Sequence, residues 1–356
     1  MLALFGLGLI IFIHEFGHFI AGKVMGLRIR EFMFGLPGPR LFSFRWGETE
    51  YGATLLPFGG YVRFAGTESE LQLEEDDEDK DTPPERKYDT QPKWKKAIIM
   101  VAGPTMNLIF PILLIALMLT IQGSPSVTKA PVIGEIVKGG PAYAAGFKQG
   151  DRITSVDGVK IKNWTELIAQ LKDKPGKRVA ITVKRDGTTL TLRPTLSNSK
   201  ERPLGVAQDI KYKREPIHIA FYHGAVFTYD MLKLIVVTLY HFIIKDAGQL
   251  VSSSSGPVGI VYQTAKIAQT DFQLYVKILA FLSINIGILN LLPIPPLDGG
   301  RLAILGVEGI KRRPLNKKLV LAVNAAGMAL LLLLMVYITI ADLGRIFLRG
   351  FGAGGG

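Results

Sequence analysis

The sequence predicts a polytopic α-helical membrane protein with four transmembrane helices and an inserted domain of mixed α and β structure. Three observations predict it. Hydrophobic residues make up 48% of the 356 residues, and mean hydropathy is +0.27. The apolar residues are gathered into runs rather than spread with the period of a surface helix. Three runs, 97–122, 278–297 and 319–341, carry no charge and reach the roughly 20 residues needed to cross a bilayer. A fourth run opens the chain. Residues 1–13 are wholly apolar, and 16–22 resume after His14-Glu15, with His18 among them. This start reads as a span rather than a signal peptide, because it lacks a basic leading region and a small-residue cleavage site before His14. Residues 217–244 are also apolar but carry His218, His223, Asp230, Lys233 and His241. They are expected to form an interfacial or buried amphipathic helix, not a span.

Composition excludes several classes of function. The chain has no cysteine, which removes a disulfide scaffold, cysteine-ligated zinc, an iron–sulfur cluster and a cysteine nucleophile. Lys and Arg number 42 against 30 Asp and Glu, a net charge of +12. No nucleic-acid motif accompanies that charge, so no nucleic-acid partner is expected, and anionic lipid accounts for it better. The basic residues also orient the chain. Lys93, Lys95 and Lys96, with Trp94 as an interfacial anchor, precede the second run. Lys311, Arg312, Arg313, Lys317 and Lys318 precede the last. Both clusters belong on the cytoplasmic face. Residues 23–96 are then inside, roughly 123–270 outside, and both termini extracytoplasmic.

The segments expected along the chain are a first span at 1–24, a β-rich region at 25–66, an acidic cytoplasmic loop at 67–93 and a second span at 94–122. A folded domain at 127–197 and a linker with its amphipathic helix at 198–270 follow. The third span is expected at 271–300, the basic loop at 311–318, the last span at 319–348 and a flexible tail at 349–356. The nine carboxylates of 68–81, followed by Pro83-Pro84, read as a solvated tether without calcium-loop spacing. Ser252–Ser255 and Gly256-Pro257 read as a loop or helix break.

Within 127–196, short β-type runs alternate with the turn signals Asp157-Gly158 and Asp186-Gly187, and Asn163 is placed to cap a helix at 164–171. The stretch Gly140-Pro-Ala-Tyr-Ala-Ala-Gly146, with Gly150-Asp151-Arg-Ile153 and Val156-Asp-Gly158, resembles a PDZ domain. Such domains take an extended peptide onto a sheet edge. A peptide or substrate tail is one expected occupant; a β-rich spacer with a filled groove is the alternative.

The chemistry lies in His14-Glu15-Phe-Gly-His18. An i, i+4 pair of histidines on a helix puts two imidazoles on one face, within reach of one zinc ion. Glu15 lies between apolar runs, where a carboxylate costs about 2.5–3.5 kcal/mol on insertion scales unless something compensates it. A metal does so. A catalytic zinc site takes three protein ligands and a water. The outstanding further candidate is Asp298, in Asn290-Leu-Leu-Pro293-Ile-Pro295-Pro296-Leu297-Asp298-Gly299-Gly300, where prolines break the helix at membrane depth. Capping a helix that starts near Gly299 is the plainer role for Asp298. His218, His223 and His241 are rival ligands. With one zinc ion per chain, Glu15 is the expected general base of peptide-bond hydrolysis.

The two motifs together resemble the site-2 protease family of intramembrane zinc metalloproteases (peptidase M50), closest to its RseP-like bacterial branch. The resemblance also takes in Gly35, Tyr51, Pro57-Phe-Gly59-Gly60-Tyr61-Val62, Ala102-Gly103-Pro104, Asn107 and Ser255-Gly256-Pro257. It implies His14, His18 and Asp298 as zinc ligands and Glu15 as general base. It implies substrates that are single-span membrane proteins already shortened by another protease, such as anti-sigma factors, or remnant signal peptides, in the bacterial inner membrane.

It also implies a sheet, from residues 28–63, that dips into the membrane beside the zinc. Gly59, Gly60, Tyr61 and Val62 are expected to bind an unwound substrate by strand addition, a structural hairpin being the alternative. Asn290, Pro293 and Pro295 are carried over as substrate-holding and unwinding residues. If the first span begins at Met1, His14 lies about 13 residues, roughly 20 Å, from its outer end, and the site is expected in the cytoplasmic half of the bilayer. Two other readings use the same residues: a membrane metal-ion transporter and a non-catalytic PDZ scaffold.

Overall fold

The computed structural model describes residues 2–56, 59–67, 81–127, 130–199, 203–244 and 257–352. The acidic tether up to residue 80, Pro57-Phe58, the serine run at 252–255 and the last four residues lie outside the described residues. The chain divides into two units, Met1–Met118 with Ile217–Gly356, and Leu119–Pro216.

In the first unit the opening apolar run forms α1 (Leu2–Val24). Four strands follow: β1 (Ile29–Phe34), β2 (Arg40–Trp46), β3 (Thr49–Thr54) and β4 (Gly60–Phe64). They pair in the order β2-β3-β1-β4, with β1 and β3 parallel and the other pairs antiparallel. Phe12, Phe16 and Phe19 recur at helical spacing on α1 and meet Phe32, Phe34 and Tyr51 of the sheet at ring-centroid separations of 4.7–6.1 Å. This aromatic seam fixes the sheet on one face of α1.

The second apolar run forms α2 (Lys93–Ile121), antiparallel to α1: Lys95 Nζ donates to Met25 O, and Gly17 packs directly on the Ala102 carbonyl. Past the inserted unit come α5 (Ile217–Ile244), α6 (Pro257–Thr270), α7 (Phe272–Leu291), α8 (Asp298–Lys311) and α9 (Lys317–Gly352). Tyr275 of α7 donates to Leu2 O, and Ser283 Oγ donates to Asn107 O, so α7 runs parallel to α1 and antiparallel to α2.

Two expectations change here. Five described helices, not four, are long and apolar enough to cross a membrane, and the added one is α5. Its polar residues His218, His223, Asp230, Lys233 and His241 are all exposed, whereas Ala220, Gly224, Thr228 and Ile235 form a buried stripe at four-residue and seven-residue steps. Gly224 packs on the Ile112 backbone, and Ile235 meets Ile284 and Ile288. Small residues that let helix backbones approach are the packing mode of membrane helices. The scattered polar residues hid that stripe. α6 has 14 residues, about 21 Å, short of a full crossing. The second change is at the end of the chain. The tail expected from 349 is helical through Gly352 as the continuation of α9.

The second unit holds β5 (Ser124–Val127), β6 (Ile133–Ile136), α3 (Pro141–Ala144), β7 (Arg152–Val156), β8 (Val159–Lys160), α4 (Trp164–Lys172), β9 (Ile181–Arg185), β10 (Thr188–Leu192), β11 (Val206–Gln208) and β12 (Ile210–Lys213). A sheet in the order β10-β9-β7-β8 carries the core of Ile153, Val156, Ile181 and Val183, closed by Leu167 and Leu171 of α4. Asn163 caps α4, accepting from Glu166 N. The two Asp-Gly turns have positive φ at both residues, the geometry that closes a two-residue hairpin.

Asp151 is fully buried. Burial pushes its carboxyl up, but two hydrogen bonds from Arg185 and one from Lys148 N outweigh this and hold it below the usual carboxylate range. A depressed carboxyl contributes stability above its unfolded pKa, about 3.9, and that stability is lost as pH falls through the folded value. Asp151→Asn is therefore expected to speed amide exchange in β7 and β9 near neutral pH and to remove part of the acid sensitivity of these strands. Unchanged exchange would contradict this role.

Candidate metal centre

His14 and His18 stand one turn apart on α1, 7% and 8% exposed. Asp298 arrives from the far end of the chain. Pro293 pushes Leu292 into extended backbone and ends α7, and α8 begins at Asp298. The residue therefore lies just beyond the third apolar helix rather than within it. Gly299 and Gly300 press on the chain at 291–295: a Cβ on Gly299 would stand 2.3 Å from the Leu291 and Leu292 carbonyls. A side chain at either position would push Asp298 away.

The Asp298 Oδ2 atom lies 2.9 Å from His14 Nε2 and 3.3 Å from His18 Nε2, and the two Nε2 atoms are 3.2 Å apart. A tetrahedral zinc ion with bonds near 2.0–2.1 Å spaces neighbouring donors by about 3.3 Å. The donor set thus fits one zinc ion and leaves a fourth position for water or substrate. Among the described residues no other group of three His, Asp or Glu converges this way. The helix-cap role weighed for Asp298 is not realised, since α8 makes no side-chain cap bond at its N-cap, Leu297. His218, His223 and His241 stay on the exposed face of α5, outside the group.

α2 closes the site. His18 Nδ1 donates to the Ile99 carbonyl at 2.7 Å, which leaves Nε2 unprotonated for a metal. At Gly103 a Cβ would stand 2.3 Å from His18 Nε2 and 2.9 Å from His14 Nε2. Glycine is required there by the site itself, a role that spacing within α1 could not reveal.

β4 runs beside the metal ligands. Gly59 lies against Ile11 and Gly60 against Phe12. The Val62 amide donates to the Glu15 carboxylate, which is within electrostatic reach of His14, His18 and Asp298. Among the described strands β4 pairs only with β1. Tyr61 departs from the expected group. Strand alternation turns it to the other face, where its hydroxyl donates to Glu31 at 2.9 Å. Burial and the Glu31 carboxylate push its pKa up to about 12. Asn290 lies in the last turn of α7, and Pro293 and Pro295 lie in the irregular chain between α7 and α8.

Residues 2–334 match Peptidase family M50. The chain belongs to that family. It is 31% identical to the regulator of sigma-W protease RasP of Bacillus subtilis, with 96% of this chain and 97% of that protein covered. It is 32% identical to putative zinc metalloproteases of Clostridium acetobutylicum (96% and 96% covered) and Fusobacterium nucleatum (98% and 99%). Part of the chain is similar to the solved PDZ domain of an SdrC-like protein from Listeria monocytogenes, at 22% identity and a TM-score of 0.21, covering 23% of this chain and 90% of that one. The M50 protein is a zinc metalloprotease of the site-2 type with several apolar helices of membrane-spanning character. This membership does not favour the transporter or scaffold reading.

Gly103→Ala is expected to lower zinc affinity by at least about 10-fold while helix content is retained, measured by competition with a chelator. Affinity equal to the parent's would contradict the packing described.

Proposed function

We propose that His14, His18 and Asp298 hold the catalytic zinc ion and that Glu15 is the general base for hydrolysing a peptide bond inside the bilayer. One observation carries this reading: three donors, two from one turn of α1 and one from the far end of the chain, converge within 3.3 Å, with Glu15 beside them. Bound there, zinc would polarise the scissile carbonyl and acidify a water. Glu15 takes a proton from the attacking water and passes it to the leaving amine. The Val62 amide and the apolar wall of α1 hold the carboxylate in place for that transfer.

The substrates proposed are single-span membrane proteins, such as anti-sigma factors after a first cleavage or remnant signal peptides. The name of the Bacillus subtilis relative, a regulator of sigma-W protease, points to the same class. A helical substrate has to unwind, and its freed backbone groups need partners that lipid does not offer. The edge of β4 away from β1 supplies them at Gly60 and at the Val62 carbonyl, the Val62 amide being taken by Glu15. Asn290 holds substrate backbone, and Pro293 and Pro295 keep the adjoining chain irregular. Tyr61 contributes backbone only. The unit at 119–216 serves as an extracytoplasmic PDZ domain that meets a substrate tail.

We place the protein in the bacterial inner membrane, with Lys93–Lys96 and Lys311–Lys318 cytoplasmic, both termini outside and the zinc in the cytoplasmic half. α5 then enters the membrane from outside.

In cells carrying a tagged single-span substrate, Glu15→Gln is expected to abolish cleavage while the purified variant keeps its zinc. Cleavage at the parental rate would refute the assignment. Because the chain lacks cysteine, His218→Cys and His241→Cys report cleanly on α5. An impermeant maleimide should reach the first from outside and the second only from the cytoplasm; labelling of both from one face would return α5 to the interface.

A further inference from the structure

α2 also brings a polar side chain to the site, besides the Ile99 carbonyl and Gly103 that face His18. Asn107 is fully buried, eight residues beyond Ile99 and so on nearly the same face of α2. Its Nδ2 lies 3.3 Å from His14 Nδ1, and its Oδ1 is buried with no hydrogen-bond partner. Each histidine of the pair thus turns Nε2 toward Asp298 and Nδ1 toward α2.

The two Nδ1 atoms have different partners. For His18 it is the Ile99 carbonyl, which can only accept. For His14 it is an amide, which presents either an acceptor or a donor after a half-turn about its Cβ–Cγ bond. In the arrangement described, Nδ2 donates to Nδ1, which places the His14 proton on Nε2. A metal on Nε2 requires the opposite tautomer, with the proton on Nδ1 and an acceptor facing it. The unpartnered Oδ1 is that acceptor, and the half-turn delivers it.

Asn107 is itself held by an arrangement that spans three helices. Pro111 lies four residues on and has no N–H, so the Asn107 carbonyl lacks its intrahelical donor. Ser283 Oγ of α7, also fully buried, donates to that carbonyl at 2.9 Å. Gly287, one turn further along α7, lies against the Asn107 side chain, where a Cβ would stand 3.2 Å from Asn107 Cβ. α7 leads through Pro293 to Asp298. A proline, a serine and a glycine together fix Asn107 against the helix that delivers the third ligand.

We propose that Asn107 is the positioning residue for His14: it accepts from Nδ1–H, selects the tautomer that offers Nε2 to zinc, and is held in place by Pro111 and Ser283. It touches neither substrate nor metal. This rests on the reading that His14, His18 and Asp298 bind the zinc.

The test is zinc affinity of the purified full chain in detergent, by chelator competition, for Asn107→Leu, Asn107→Asp, Ser283→Ala and, as reference, Asp298→Ala. Melting of the metal-free proteins is followed alongside. Leucine has similar volume and no acceptor, so Asn107→Leu should weaken zinc about 10–100-fold. Asn107→Asp keeps an acceptor and should stay within a few-fold of the parent. Ser283→Ala should fall between. Cobalt(II) loaded in place of zinc should show an altered ligand-field spectrum for the leucine variant and a near-parental one for the aspartate variant. Parental zinc affinity in Asn107→Leu, beside a loss in Asp298→Ala, overturns the proposal and leaves the zinc site standing. Parental affinity in Asp298→Ala overturns the ligand assignment itself. Equal zinc loss in the leucine and aspartate variants, tracking a lower metal-free melting temperature, would make Asn107 a packing residue and also overturns the proposal.

Discussion

Two imidazoles and two carboxylates are enclosed by apolar helices, where each alone would be expensive to bury. They are tolerable because they share one small volume. The donors stand 2.9–3.3 Å from one another, and the outer nitrogens of both histidines face α2. Much of the remaining fold follows from keeping that volume closed. α2 has to approach the imidazoles so closely that only glycine fits at 103, and α8 has to begin against the 291–295 chain so closely that only glycines fit at 299 and 300. The aromatic seam of α1 holds the sheet, and with it β4, beside Glu15.

The division of labour among helices is physical. α1 carries His14, Glu15 and His18, and one helical turn sets the spacing of the two imidazoles. α7 and α8 bring in Asp298 because a proline break lets the chain stop and restart with an acidic residue at a helix beginning. α2 contributes none of the three converging donors, yet Ile99, Gly103 and Asn107 on it all meet the two histidines. Its two internal prolines remove backbone donors, and at Pro111 the carbonyl so released is taken up by α7.

Much of this was legible in the sequence, for identifiable reasons. Charge-free runs bounded by lysines locate spans almost without regard to tertiary structure, and an i, i+4 histidine pair fixes its own geometry. The sheet expected from residues 28–63 is present as four strands between Ile29 and Phe64, and Asn163 and the Asp-Gly turns behave locally as their types require. What escaped depends on neighbours. α5 carries enough polar residues to mask a buried stripe of small ones, and a stripe is meaningful only once a partner helix lies on it. Tyr61 was grouped with its sequence neighbours, but strand alternation sends it to Glu31. The constraint on Gly103 comes from side chains 85–89 positions away, which no local pattern records.

X-ray absorption at the zinc edge of the purified protein tests the central claim most directly. The account predicts a shell of two imidazoles and one or two oxygens at about 2.0–2.2 Å, with an oxygen scatterer lost or zinc released when Asp298 becomes alanine. Three or more imidazoles around the metal, or a spectrum indifferent to Asp298, would contradict it.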